Sequence, residues 1–139
     1  MSQTTTGLIG EYIAAGIVLS LGWRVSMCQQ DKVDLVAWKE DEYIRIQVKT
    51  AQLSGEKDAR TPVYHFQFGS GQKNKVLPNE RDYDILCCIG LGHRKALFMP
   101  IQQVQQKSKR VSPQLFDAPK AELHSFNKAL AAVRGRRGG

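Results

Sequence analysis

The sequence predicts one α/β domain, a mixed sheet with helices packed against it, from three observations. Gly7 to Gly22 is almost wholly apolar or small and reads as a mostly buried helix ending at a glycine. A series of short runs with strand composition, separated by charged or glycine-bearing turns, follows it. Near the end, Leu123, Phe126, Leu130 and Val133 recur at helical spacing. Helix, strands, then helix is an α/β layer.

The strands follow in order. Trp23 to Cys28 is short and leads through a polar stretch to Val33–Trp38 and Tyr43–Thr50, two runs joined by the charged turn Lys39-Glu40-Asp41-Glu42, which has the form of a β-hairpin. In Thr61 to Phe68, Tyr64, Phe66 and Phe68 alternate with Val63, His65 and Gln67, as in a half-buried strand. After a glycine-punctuated basic loop come Tyr83–Ile89 and Lys95–Ile101, joined by a turn at Gly90 to Arg94. Pro119, whose fixed φ suits a first turn, opens the last helix. There is no internal repeat. The domain is expected to span 1–133, with 134–139 a basic flexible tail.

With 139 residues, 42% of them hydrophobic, the chain can bury one core. No apolar run is long enough to cross a membrane, and MSQTTTG lacks a signal peptide's basic start, so a soluble, unprocessed, cytoplasmic protein is expected. Cys28, Cys87 and Cys88 fit neither a disulfide framework nor a zinc spacing and read as reduced thiols. The net charge of +7 accumulates toward the C-terminus, where the last thirty-nine residues hold eight Lys or Arg against two Asp or Glu. Such an excess attracts polyanions, of which nucleic acid is the commonest.

If the hairpin loop is centred on the Glu40–Asp41 bond, paired positions sum to 81, and Asp34 faces Gln47 at about 5 Å between Cβ atoms. Lys49, two residues along, shares their face, while Ile44, Ile46 and Val48 take the other. A register shifted by one would undo this. Glu11, the sole charge of the apolar helix, would approach from above. Phosphodiester hydrolysis needs a divalent cation, a nucleophilic water and a group to orient it. Asp34, Gln47 and the Val48 carbonyl offer the oxygen ligands that Mg²⁺ prefers, and Lys49 could serve the water.

The runs Gly10-Glu11, Gly22-Trp23-Arg24-Val25, Val33-Asp34-Leu35-Val36 and Ile46-Gln47-Val48-Lys49-Thr50 together resemble the PD-(D/E)XK nuclease superfamily. The arrangement is similar to archaeal Holliday junction resolvases and to small phage and intron-encoded homing endonucleases. Val33 stands where the superfamily often has Pro, and Gln47 where the resolvases have Glu; a Gln-x-Lys motif resembles the homing branch. The resemblance implies a restriction-endonuclease-like core of about five strands and Mg²⁺ or Mn²⁺ at Glu11, Asp34, Gln47 and Val48, with Lys49 completing the catalytic set. It implies a DNA endonuclease working as a homodimer or higher symmetric oligomer. A junction resolvase and an inactive nucleic-acid-binding protein are the alternatives. Gln67, Ser70, Gln72, Lys73 and Lys75, with Lys107, Lys109 and Arg110, are the candidate contacts to duplex or branched DNA; His65 is read as structural.

Overall fold

The computed structural model describes residues 1–30, 32–54, 62–69 and 75–138. Helix α1 (Gln3–Ser20) begins where Ser2 Oγ accepts the Thr5 N–H and ends before Gly22, whose φ of 96° suits the residue after a helix. Strands β1 (Arg24–Gln30), β2 (Val33–Lys39) and β3 (Glu42–Ala51) form an antiparallel meander. Leu35 pairs with Ile46 and Lys39 with Glu42, the expected register. Glu40 takes the positive φ that tight hairpin turns demand.

After the short β4 (Leu53–Ser54) and β5 (Val63–Gln67), strand β6 (Ile85–Gly90) joins β3 in parallel and β7 (Lys95–Pro100) closes the main sheet. Its order is β1-β2-β3-β6-β7. The chain then forms β8 (Ser108–Val111), α2 (Gln114–Asp117) and α3 (Ala121–Arg136). The five-stranded mixed sheet flanked by helices is therefore as expected, but β5 does not belong to it. It pairs with β4 and β8 in a second, three-stranded sheet.

Two apolar cores result. Ile44, Ile46, Val48, Ile85, Cys87 and Ile89 face α1 and α3, where Phe126 meets Trp23 and Phe98 edge to face. Leu86, Cys88, Tyr64, Phe66 and Phe116 fill the opposite side. All six residues of β6 are buried, as a central strand covered on both faces requires.

Helix α1 is less buried than expected. Only Gly10, Ala14 and Val18 are fully covered, and Tyr12 is 60% exposed. The expected basic tail is also helical as far as Arg136. Buried Asp84, just before β6, accepts from Arg45, Arg136 and Arg137, while Arg134 pairs with Glu42 on β3, so these arginines are engaged with carboxylates.

Candidate active site

Beyond Leu35↔Ile46 the β2–β3 ladder stops, and the Asp34 carboxylate takes over as acceptor. Its Oδ2 receives the Val48 N–H at 2.7 Å and Gln47 Nε2 at 3.1 Å. Both bonds fall on one oxygen, so Oδ1 has no protein donor among the described residues. Gln47 spends its NH₂ on Asp34, which leaves Oε1 as its free acceptor. The N–H and C=O of one strand residue leave on the same edge, so the Val48 carbonyl looks toward Asp34 as well.

The electrostatics match this crowding. Burial, offset by the Val48 N–H and by Lys49, leaves the Asp34 carboxyl above its ordinary pKa. Glu11 is also raised, by burial and then by the charge of Asp34, with Gln29 drawing it back. Lys49 is lowered by burial, against the pull of Asp34. Two carboxylates raised by burial, one of them also by the charge of the other, are a donor set that a cation would relieve.

Close helix packing brings Glu11 here. Gly10 lies against Thr50 on β3, too near for any side chain, and this contact fixes where the next residue stands. A bulge in β1 between Met27 and Gln30 contributes from the other side: Gln29 adopts φ 52° and reaches Glu11. Sequence reasoning missed Gln29, because nothing in a polar stretch marks a bulge. Among the described residues no three His, Cys, Asp or Glu cluster as metal ligands. The oxygen donors are two carboxylates, one amide and one carbonyl, enough for Mg²⁺, which keeps several waters.

A model of the PD-(D/E)XK endonuclease family matches residues 1–131. The chain belongs to that family. Its fold is similar to that of a bacterial homing endonuclease, I-Ssp6803I, at a TM-score of 0.71 and 19% identity, over 99% of this chain and 97% of that one. No sequence among curated proteins matches it significantly.

In this PD-(D/E)XK endonuclease an open groove of about 500 Å³ runs from Lys49 and Thr50 past Thr6 and Gln52 to His65 and Gln67. Gln67 is thus brought beside the catalytic candidates. In the second sheet His65 pairs with Arg110 and Gln67 with Ser108, which puts Arg110 on the exposed side of β5. Lys109 pairs with buried Phe66 and lines a different cavity, with Met99 and Gln103, so strand alternation splits the basic run between two faces. The Lys107 carbonyl accepts the Phe68 and Gly69 N–H groups and joins the two strands. Lys75 is exposed, whereas Ser70, Gln72 and Lys73 lie outside the described residues. His65, set aside in the sequence, shares the groove with Lys49; only its partner across the sheet reveals that.

Proposed function

We propose that this endonuclease hydrolyses DNA phosphodiester bonds with a divalent cation, Mg²⁺ or Mn²⁺, as a homing-type enzyme. Glu11, Asp34, Gln47 and the Val48 carbonyl would hold the ion, which supplies charge neutralisation and a more acidic water. The observation that carries this reading is the Asp34 carboxylate, pinned through Oδ2 by Val48 and Gln47 with Oδ1 left without a protein donor among the described residues. Pinning fixes the donor oxygen before substrate arrives, which is what electrostatic preorganisation requires. Lys49 stands on the same strand face, partly desolvated, placed to hold or deprotonate the attacking water. The groove past His65 and Gln67, with Arg110 beside it, gives the DNA backbone a track to the site.

Each chain offers one such constellation, so cutting both strands takes a homodimer or larger symmetric assembly. Among the described residues no helix is long and apolar enough to cross a membrane, and all three thiols are free. The free thiols support a place in the reducing cytoplasm.

The test incubates the protein and its Lys49→Ala variant with supercoiled plasmid and with a synthetic four-way junction, with and without Mg²⁺. Mg²⁺-dependent nicking by the parent alone is expected. Equal products from both proteins would overturn the assignment. Symmetric junction cutting with plasmid spared would move the reading to a resolvase, and salt-sensitive binding without products to an inactive DNA-binding protein.

A further inference from the structure

Next to the site, Tyr83 has a hydroxyl with no partner among the described residues. The residue is 2% exposed and precedes β6, and its Oη is fully buried without a hydrogen bond among the described residues. Leaving a phenolic oxygen unpaired in a core is unfavourable, and Phe would fill the same space without that cost. The ring belongs to the second core with Phe68, Leu86 and Cys88. Tyr83 also lines a small, partly closed cavity of about 80 Å³ together with Gln47 and Lys49, walled by Lys32, Asp82, Phe68 and Pro78. That volume has room for a couple of water molecules, and its walls are polar enough to hold them.

Lys49 needs support of this kind. Its ammonium ends a flexible four-carbon stem, and the carboxylate that attracts it is that of Asp34. A group that serves an attacking water must be held within a fraction of an ångström of its working position. Lys32 and Asp82 pair with each other at 3.4 Å across the cavity wall. Tyr83, buried and kept protonated by that burial, is the neutral hydroxyl left over. It can accept from the ammonium, directly or through a cavity water, without competing for the charge of Asp34.

We infer that Tyr83 is a positioning residue of the nuclease site, its hydroxyl anchoring Lys49 through the cavity they share with Gln47. The inference rests on the proposed role of Lys49. It does not require Tyr83 to touch DNA or metal.

Tyr83→Phe keeps the ring and removes only the hydroxyl. Plasmid nicking is measured for parent, Tyr83→Phe and Lys49→Ala, with enzyme in excess and Mn²⁺ present, over a range of enzyme concentrations. Thermal unfolding is followed in parallel. The expected result is a roughly tenfold lower maximal rate for Tyr83→Phe, a half-saturating enzyme concentration within twofold of the parent, an unfolding midpoint equal or higher, and no cleavage by Lys49→Ala. A parent-like rate for Tyr83→Phe with Lys49→Ala inactive overturns this inference alone. A lower midpoint, or a loss confined to half-saturation, also overturns it and makes Tyr83 a packing residue. Full activity of Lys49→Ala overturns the proposed role of Lys49, and with it any need for an anchor.

Discussion

A Cβ on Gly10 would sit 2.8 Å from Thr50 Cβ and closer still to Thr50 Oγ1, so α1 and β3 meet at a point where only glycine fits. Turning the threonine about χ1 can move Oγ1 but not Cβ, and the clash therefore has to be relieved by displacing the helix. Gly10→Ala is expected to cost about 1–3 kcal/mol in denaturant unfolding and to lower cleavage further, because Glu11 moves with the backbone. Gly10→Ala with Thr50→Ala, which deletes Oγ1, should recover part of both losses. Additive losses in the double variant would show that the contact does not set the helix position.

Gln47 holds Asp34 through its amide, and Gln47→Glu would exchange that donor for a second carboxylate about 3 Å away. In EDTA at pH 7 the variant should unfold at lower temperature than the parent, since two adjacent charges then lack a counterion. Mg²⁺ should raise its midpoint more than the parent's, because the added carboxylate strengthens a hard-cation site. Equal midpoint shifts with Mg²⁺ in both proteins would count against metal between these residues.

Asp84 is fully buried and receives Arg45, Arg136 and Arg137. Burial alone would raise its pKa; the hydrogen bonds from Arg45 and Arg136 outweigh it and hold the carboxyl below its ordinary value. A lowered folded pKa gives stability that is present above the unfolded value, near 4, and lost as pH falls through the folded one. Asp84→Asn should therefore cost about 3–5 kcal/mol at pH 7, where it leaves guanidinium groups unpaired. The gap between parent and variant should narrow below about pH 4. The exposed Arg134–Glu42 pair is worth far less, and Arg134→Ala should change stability by about 1 kcal/mol or under.

These contrasts show which parts of the molecule its sequence could disclose. The hairpin register was legible because a two-residue turn between alternating runs is a local signal, and Lys39↔Glu42 closes it as expected. With that register came Asp34, Gln47 and Lys49. The second sheet was not legible, since β5 pairs with β8 some forty residues away and neither strand carries a mark of its partner. Arg134–Arg137 read as a solvated tail for the same reason: Glu42 and Asp84 lie 92 and 52 residues from their arginines. Tyr83 looked like the first residue of a buried strand, and only the cavity it shares with Lys49 gives its hydroxyl a use.

Strand alternation in the second sheet separates residues that composition had grouped. Arg110 shares the exposed face of β5 with His65 and Gln67, which line the groove that contains Lys49, whereas Lys109 belongs to the other face. A cation that neutralises one phosphate adds about one unit to the slope of log affinity against log salt, while a neutral side chain adds none. Arg110→Ala should therefore weaken DNA binding and flatten its salt dependence by about one unit. Gln67→Ala should weaken binding by a similar or smaller factor at constant slope. Lys109→Ala should leave both nearly as they are. Fluorescence anisotropy on a labelled duplex from 50 to 200 mM salt, roughly the range over which such slopes are resolved, checks all three. A Lys109→Ala slope as flat as that of Arg110→Ala would mean that the DNA path crosses the opposite face of β8.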